Sequence, residues 1–407
     1  MPRGTNLEYA RGYNRRIVLE TIRRYGPLSR MEISQKTSLA FQTVANIIQE
    51  LIERGLVITG ERRQGKRGSP SLDIQINPGG AFSIGLNLDR DLLTGVLVDL
   101  GGAMLDHVQY ELERPVPQTV LPLMEEIVSR FGGQVKREKL WGVAIGVPGP
   151  LHLEERTVQL PDDLLEWTNV SVLEPLEQKF GLPTFLERNA NAAAIGEYWY
   201  GAGRELRSFF YVFFGIGLGS GVITDGRLHQ GATRSAGKFG DIPIDTCSRS
   251  GGERKITPLK DVFSLGSLRS YMASHGVGDV DTAVLESLYD QRDKTLLEWL
   301  ERAAASLAPA LLSIEYLLDP QAMIFGGRLP RLIMNDVLVR VDDELQLLSA
   351  PTRPDRPRLL CARSDENAAA LGLATIPLYE SLAPNHLLLL KEGSKSSERR
   401  IPGSYDL

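Results

Sequence analysis

The sequence predicts a multidomain α+β protein in which a small basic head precedes a large α/β body. The chain has 407 residues, too many for one ordinary domain of about 150 residues. Residues 1–70 carry 13 Lys and Arg against 6 Asp and Glu, whereas the remainder carries 33 against 45. Short helical patterns occupy the basic part, and longer strand and helix patterns fill the acidic part. This asymmetry indicates that the head binds a polyanion, although a solvated basic face would have the same composition.

Three helical patterns occupy the first 55 residues. Apolar spacing and end signals place them at residues 14–25, 29–36 and 41–54. Ser29 and Glu32 have the spacing of a capping box, which marks the start of the second helix. The buried face of the third helix consists of Val44, Ile47, Ile48 and Leu51. Two short helices across a tight turn are typical of a helix-turn-helix, whose second helix enters the major groove of DNA.

The opposite face of the third predicted helix begins with Gln42, Thr43 and Asn46. Gln and Asn can form two hydrogen bonds with adenine, and Thr can reach a base edge or a phosphate. We therefore predict that these three residues contact DNA. Three-helix packing without DNA binding uses the same spacing, so this pattern needs support from its surroundings.

That support comes from a predicted hairpin with a cationic tip. Residues 56–59 and 72–76 have strand patterns, the second of them with regular alternation. The tip between them carries Arg62, Arg63, Lys66 and Arg67. Such a tip suits contacts to phosphates or the minor groove. Residues 1–78 are therefore predicted to be a winged helix-turn-helix domain that binds a double-stranded DNA operator.

The body contains a tract that is favourable for a binding site. An apolar segment at residues 182–186 leads into Glu187-Arg188-Asn189-Ala190-Asn191-Ala192-Ala193-Ala194, where polar residues precede a strong helix former. This tract resembles the sugar-contacting motif of the ROK family of bacterial repressors and sugar kinases, which usually reads Glu-Asn-Asp-Ala-Asn-Ala-Ala. The resemblance implies that residues 79–385 form a two-lobed actin-like, ribonuclease-H-like body of the ATPase type. It also implies that the chain is of the regulator branch, because a DNA-binding head is predicted.

Three further tracts resemble ROK motifs. Residues 141–150 resemble a strand that ends in a Gly-Pro turn, and residues 211–222 resemble the second phosphate loop. Residues 322–329 resemble the strand and glycine turn near adenosine. Each glycine taken singly could equally belong to a strand end or a tight hairpin.

The residues that kinase chemistry requires are missing. The position of the family's general base, an Asp, holds Asn189, whose amide cannot accept the proton of a hydroxyl. Loss of a general base costs roughly 10²- to 10⁴-fold in rate. The first phosphate motif, Asp-x-Gly-Gly-Thr in the family's kinases, is replaced by Asn87 and Asp89-Arg90-Asp91, and the two carboxylates at this turn would repel phosphate. We expect no catalytic residue and no ATP cofactor.

The zinc site that the resemblance implies is also missing. The family pattern Gly-Glu-x-Gly-His reads Gly237-Lys238-Phe239-Gly240-Asp241. At the family's usual spacing, its three cysteines fall on Gly251, Glu253 and Pro258, and its sugar-binding Glu falls on Lys260. No thiolate remains to bind zinc, so we expect no metal.

The substitutions make the pocket that the resemblance implies richer in cations. Its predicted effector-binding residues are Arg188, Asn189, Lys238, Asp241 and Lys260. Lys and Arg bind phosphate and carboxylate groups, so one hypothesis is a sugar-derived, anionic effector such as a sugar phosphate or a sugar acid. In the alternative, these side chains form ion pairs with Asp241 and Glu187 and bind nothing.

The sequence therefore predicts a sequence-specific DNA-binding regulator, a repressor of the ROK type, that acts as a homodimer or tetramer. We expect it in the cytoplasm and away from membranes, because residues 1–16 are polar and no stretch approaches the roughly 18 apolar residues of a membrane span. Residues 386–407 are polar and are expected to be a disordered tail. Two alternatives remain, a sugar kinase with an attached DNA-binding head and a DNA-binding regulator without a small-molecule effector.

Overall fold

The head consists of three helices and a β-hairpin, in the predicted order. The structure, a computed structural model, describes residues 7–63, 71–148, 151–152, 157–158, 166–167, 170–245, 256–348, 356–363 and 367–383. The elements of the head are α1 (Leu7–Tyr25), α2 (Arg30–Thr37), α3 (Phe41–Glu53), β1 (Val57–Arg63) and β2 (Ser71–Ile76). Helix α1 begins seven residues before its apolar pattern, because its first turns extend beyond the core that the pattern reports. Strand β1 likewise continues past residue 59 as an antiparallel partner of β2, with an irregular register between Thr59 and Arg62.

The local signals of the head are confirmed. The Ser29 hydroxyl accepts a hydrogen bond from the Glu32 amide at 3.3 Å, and the Glu32 carboxylate accepts from the Ser29 amide at 2.7 Å, as the capping box requires. The turn to α3 passes through Ser38, whose φ of 57° is left-handed. Leu28 exchanges two backbone hydrogen bonds with Ile74, at 3.0 and 2.8 Å, and so fixes the hairpin to the helices.

The first lobe of the body is built on a five-stranded sheet with the order β5-β4-β3-β6-β9. Its elements are β3 (Phe82–Leu88), β4 (Leu92–Asp99), β5 (Met104–Glu111), α4 (Pro117–Gly132), β6 (Leu140–Val147), β7 (Leu151–His152), β8 (Thr157–Val158), α5 (Leu173–Phe180), β9 (Thr184–Arg188) and α6 (Asn189–Tyr200). Strands β3, β4 and β5 are antiparallel neighbours, whereas β3, β6 and β9 are parallel. Helices α4 and α5 cover one face of the sheet.

The second lobe has a sheet of the same design, with the order β12-β11-β10-β15-β16. Its elements are β10 (Phe209–Phe214), β11 (Leu218–Thr224), β12 (Arg227–Leu228), β13 (Pro243–Asp245), β14 (Ile256–Pro258), α7 (Leu265–Ser274), α8 (Thr282–Asp290), α9 (Lys294–Leu318), β15 (Ala322–Gly327), α10 (Arg331–Leu348), β16 (Arg358–Cys361) and α11 (Ala368–Leu382). Three antiparallel strands are again followed by two parallel ones. The two lobes thus have the same order and direction of strands, although their sequences show no visible repeat.

Two helices lie between the sheets. Helix α11 packs on β3 and β6 of the first sheet, and α6 packs on β10 and β11 of the second. The two helices pack against each other with glycine at their closest approach, since a Cβ on Gly196 would lie 3.0 Å from the Cα of Gly372. Helix α6 therefore belongs to the interface between the lobes.

The predicted body elements are confirmed where the structure describes them. Strands β3 and β4 flank the turn at Asp89–Asp91, β6 forms the strand predicted at residues 141–150 as far as Val147, and β10 and β11 form a hairpin at residues 209–224. Residues 294–318 form one long helix, α9, whose apolar face joins the core of the second lobe. Among the described helices, none has the length and apolar character needed to cross a membrane.

Candidate nucleic-acid interface and effector site

The predicted DNA-contacting face of α3 is exposed. Val44, Ile47, Ile48 and Leu51 are buried, as the spacing predicted, and Gln42 and Asn46 point away from them into solvent. Thr43 is half-buried. The Gln42 amide nitrogen, Nε2, donates a hydrogen bond to Asn46 Oδ1 at 3.1 Å, so the two amides form one polar unit on this face.

The cations predicted at the hairpin tip fall largely outside the described residues. The backbones of Arg62 and Arg63 lie in β1, opposite Leu72 and Ser71 of β2. The side chains of these two arginines, and the whole of Lys66 and Arg67, lie outside the part of the chain that the structure describes. Their contact with DNA stays a prediction.

The structure corrects the charge argument for the head, because several of its cations serve the protein itself. Arg11, Arg15 and Arg54 all form ion pairs with Glu50 on α3. Three others, Arg16, Arg23 and Arg24 of α1, donate hydrogen bonds to backbone carbonyls of the body. Because Arg16, Arg23 and Arg24 are used in contacts to the body, the net charge of residues 1–70 overstates the positive charge that this part can present to a polyanion.

The predicted helix start in the body is confirmed, and it gathers polar side chains. Arg188 ends β9 and is the residue before α6, whose first residue is Asn189. The Arg188 guanidinium donates to Asn191 Oδ1 at 3.1 Å and to the Ala236 carbonyl oxygen. Glu187 accepts from the Asn191 side chain at 2.8 Å. Burial lowers the pKa of Arg188, partly offset by the nearby Glu187 carboxylate.

Two buried amides at this place have unsatisfied acceptors. Asn87 on β3 pairs with Gly146 on β6, and Gly146 pairs with Glu187 on β9, so the three residues form a row across the sheet. A Cβ on Gly146 would lie 2.9 Å from Asn189 Oδ1. The Oδ1 atoms of Asn87 and Asn189 are buried and have no hydrogen-bond partner among the described residues. Unpaired buried acceptors are costly, and a ligand that donates hydrogen bonds would satisfy them.

The other predicted effector residues lie on the adjoining loops of the second lobe. Lys260 donates to Asp241 at 2.7 Å, and both side chains are about half exposed, so these two form an ion pair with each other. Lys238 is exposed and lies two residues after Ala236, the residue whose carbonyl Arg188 contacts. The structure therefore brings Arg188 and Asn189 together and leaves Lys260 with a carboxylate partner.

The turn that replaces the first phosphate motif is held by arginines of the second lobe. Arg328, which follows β15, donates to the two carboxylate oxygens of Asp91 at 2.6 and 3.0 Å. It also lies 3.5 Å from Asp89, and Arg269 of α7 donates to Asp91 at 3.2 Å. We call these four residues the interlobe ion cluster. No sequence pattern identified Arg269 or Arg328 as partners of this turn, because they lie 178 and 237 residues away from Asp91.

The two carboxylates of the interlobe ion cluster have opposite pKa shifts. Burial opposes the charge of Asp91, but hydrogen bonds from Arg328 and Arg269 outweigh it and lower its pKa. Burial is greater at Asp89 and raises its pKa despite the nearby Arg328. Asp91 is therefore the stronger partner of the arginines.

Two glycines of the second phosphate-loop motif, Gly219 and Gly221, have a packing role. A Cβ on Gly219 would lie 2.9 Å from the Cβ of Ala190, and one on Gly221 would lie 2.6 Å from the Cβ of Ala194. These glycines allow α6 to lie directly on β11. Their retention in the sequence is thus explained without a bound phosphate.

The expectation that the chain binds no zinc stays a prediction. Among the described residues, no three His, Cys, Asp or Glu side chains converge as metal ligands do. Positions 251 and 253, which the resemblance aligns with zinc-binding cysteines, lie outside the described residues.

The fold and these sites define a class, a two-lobed actin-like body of the sugar-kinase type preceded by a helical head. The chain belongs to the ROK family, whose pattern matches residues 83–379. It is 25% identical over 386 residues to the xylose repressor of Bacillus spizizenii strain W23, covering 92% of this chain and 97% of that protein.

Two solved structures share the fold. The crystal structure of a ROK family transcriptional regulator, a homologue of the E. coli MLC protein, covers 92% of this chain and 98% of its own, with 23% identity and a TM-score of 0.72. A ROK family glucokinase from Streptomyces griseus, in complex with glucose and AMPPNP, covers 73% of this chain and 99% of its own, with 22% identity and a TM-score of 0.61.

Proposed function

We propose that the chain is a transcriptional repressor of the ROK type, which binds an operator through a winged helix-turn-helix domain at residues 1–78. The observation that carries the proposal is the head: three helices and a hairpin, with an exposed Gln42–Asn46 face on the helix that follows the tight turn. The relative named a xylose repressor matches this chain over almost its whole length, whereas the glucokinase structure covers 73% of it. A DNA-bound regulator of carbohydrate metabolism works in the cytoplasm.

The body, proposed as residues 79–385, has no kinase activity in this proposal. Asn189 supplies no base, and the carboxylates of the Asp89–Asp91 turn, which stand where the family's kinases bind phosphate, are paired with Arg269 and Arg328. We propose that neither ATP nor zinc is a cofactor. The rival activity, a sugar kinase with an attached head, predicts phosphate transfer from ATP to a sugar; turnover that Asn189→Ala abolishes would establish it.

A sugar-derived effector fits the residues at the start of α6. Asn87 Oδ1 and Asn189 Oδ1 are buried acceptors that hydroxyl groups could satisfy, and the buried Arg188 Nε lacks an acceptor among the described residues. A ligand with several hydroxyls and one anionic group would match both needs. Because Lys260 is already paired with Asp241, we propose Arg188 and Lys238 as the cations that face the anionic group.

We propose that effector binding alters DNA occupancy through the arrangement of the two lobes. Helix α6 contacts both the candidate effector site and the partner helix α11 of the other lobe. An effector that binds one lobe arrangement better than another shifts the population toward it. In a homodimer or tetramer this would change the spacing between two heads on a palindromic operator.

The test begins with selection of bound sequences from a random DNA pool by the purified full-length protein. Recovery of a palindrome is expected, and no enrichment at moderate salt would refute specific DNA binding. Binding to the recovered operator is then repeated with neutral sugars, sugar phosphates and sugar acids. Release by sugar acids or phosphates alone supports the anionic effector, saturable binding of neutral sugars alone excludes it, and no response favours a regulator without an effector.

A further inference from the structure

Helix α1 of the head is fixed to the carboxyl end of α6. Arg23 is 8% exposed, and its guanidinium donates to the Trp199 carbonyl oxygen at 2.6 Å. Its Cζ lies 4.3 Å from the centroid of the Trp199 ring. Glu20 on the preceding turn of α1 accepts two hydrogen bonds from Arg23, both at 2.7 Å, and so sets its orientation. A stacked, charge-assisted contact to a helix carboxyl end is favourable because the last carbonyls carry partial negative charge.

Helix α1 is also fixed to the carboxyl end of α11. Arg16 donates to the carbonyl oxygens of Glu380 and Ala383 at 3.3 and 3.1 Å, at the last turn of that helix. Arg16 and Arg23 are seven residues apart, about 10 Å along α1 at a rise of 1.5 Å per residue. Helix α1 therefore rests on one helix from each lobe, at two separate points.

Further contacts join the same surfaces. Arg204, which follows α6, donates to the carbonyl oxygens of Arg23 and Arg24 at 2.8 and 2.9 Å. Apolar side chains of α1, among them Val18 and Ile22, belong to the same buried cluster as Trp199 and Leu378. The head and the body thus share one core, so α1 moves with the helices on which it rests.

Helix α6 joins this junction to the candidate effector site. It begins at Asn189, and its penultimate residue is Trp199; eleven of its twelve residues are buried. The helix is about 18 Å long at 1.5 Å per residue, and it contains no proline. A buried helix without a kink transmits a displacement of one end to the other.

We infer that α6 couples the effector site to the head, and that Arg23 is the positioning residue through which the displacement reaches α1. A ligand that moves the Asn189 end of α6 relative to α11 would move the Trp199 end as well. Arg16 holds α1 to α11, and Arg23 holds α1 to α6. If α6 and α11 slide past each other, α1 therefore tilts, together with the face of α3 that α1 supports. This inference rests on the proposed function for its biological meaning, but the coupling itself is a property of one chain.

The coupling can be tested without an identified effector. Asn189→Ala removes the hydrogen bond to the Leu88 carbonyl and perturbs the start of α6. Affinity for the selected operator would be measured for the wild type, Asn189→Ala, Arg23→Gln and the double variant. We expect Asn189→Ala to change the affinity by between about 2- and 30-fold in the wild-type background, and to have a clearly smaller effect in the Arg23→Gln background.

Hydrogen exchange of α1 in the full-length protein gives a readout that does not depend on DNA. Asn189→Ala should alter the protection of α1 in the wild type and alter it clearly less when Arg23 is Gln. Arg23→Lys, which retains a cation and a donor, should restore part of the coupling. Arg11→Gln is the matched control, because it changes the charge of α1 through a residue that pairs within the head.

The outcomes separate this inference from the proposed function. Unchanged α1 protection in Asn189→Ala, or an equal effect of Asn189→Ala in the Arg23→Gln background, would overturn the coupling. If no operator is recovered, the DNA proposal fails while the exchange experiment still decides the coupling. A circular dichroism spectrum and non-specific DNA affinity like those of the wild type would show that Arg23→Gln has not unfolded the head.

Discussion

The pair Gln42 and Asn46 shows how one contact changes the interpretation of two residues. Each could read an adenine by itself, but the hydrogen bond between them uses one donor of Gln42 and the oxygen of Asn46. This leaves the Gln42 oxygen as acceptor and the Asn46 nitrogen as donor, which together match N6 and N7 of one adenine. We therefore expect the pair to act as a single recognition unit.

We predict that Gln42→Ala and Asn46→Ala relax sequence preference at the same base pair. Each should cost about 1–3 kcal/mol of discrimination, and the double variant should cost little more than either. Repeated selection with each variant measures this. Gln49→Ala, on the same face but paired with Glu53, is the control. Relaxation at two different base pairs would show that the amides act separately.

The cations predicted at the hairpin tip are expected to contribute equally to the binding of any DNA sequence. Arg62→Ala or Lys66→Ala is expected to weaken specific and non-specific binding together, and to reduce the salt slope by about 0.9 for each lost phosphate contact. Affinities measured between low and moderate salt give this slope. Arg54→Ala is a suitable control, because Arg54 forms an ion pair with Glu50. A change confined to one sequence would place these residues at base edges instead.

At the scale of elements, the contact between α6 and α11 depends on the absence of side chains. A Cβ on Gly372 would overlap the carbonyl oxygen of Ala192, which is backbone and cannot move aside without shifting α6. The Ala-rich sequence of α6 serves the same close packing, since small residues let the helix lie close to both β11 and α11. In the proposed mechanism, this close packing of two helices from different lobes would transmit relative motion of the lobes to the head.

Gly372→Ala is predicted to lower the unfolding midpoint of the chain. Overpacking of this kind costs roughly 1–3 kcal/mol, or more where the obstacle is backbone. Thermal or urea unfolding followed by circular dichroism measures the change. Gly133→Ala is the control, because Gly133 follows α4 with a φ of −71° and has room for a Cβ, so the midpoint should stay or rise slightly. A neutral Gly372→Ala would mean that α6 and α11 can separate freely.

At the scale of the whole molecule, the interlobe ion cluster joins the two lobes. It lies where the family resemblance places the first phosphate motif, and it uses carboxylates of the chain itself. Asp91 belongs to the turn between β3 and β4 of the first lobe, and Arg328 and Arg269 belong to the second. The chain thus has its own connection across the cleft, independent of a nucleotide.

Asp91→Asn should destabilise the protein near neutral pH by roughly 2 kcal/mol, less than the loss of a fully buried pair because Asp91 is partly exposed. Because the pKa of Asp91 is lowered in the folded protein, the contribution of Asp91 to stability is complete above the ordinary Asp pKa. This contribution is lost as the pH falls below that value. The free energies of unfolding of the wild type and the variant should therefore approach each other as the pH falls below about 4. Asp89→Asn should cost less, because burial raises the pKa of Asp89. If Asp91→Asn lowered the stability equally at all pH values, that result would contradict the ion pairing.

The sequence by itself determined what depends on neighbours along the chain. The spacing of Val44, Ile47 and Ile48 fixed the buried face of α3, and the capping pair Ser29 and Glu32 fixed the start of α2. The polar turn before the Ala-rich run identified the start of α6. These features follow from helix periodicity and capping, which act over a few residues.

Only the tertiary structure decided which charges meet. Arg23 lies 176 residues from Trp199, and Arg328 lies 237 residues from Asp91, so no local pattern could pair them. An arginine in a basic segment suits a phosphate or a helix carboxyl end equally well by its chemistry. Folding places Arg16 and Arg23 on the body and Arg11 and Arg15 on Glu50, and so decides which positive charges are used within the protein.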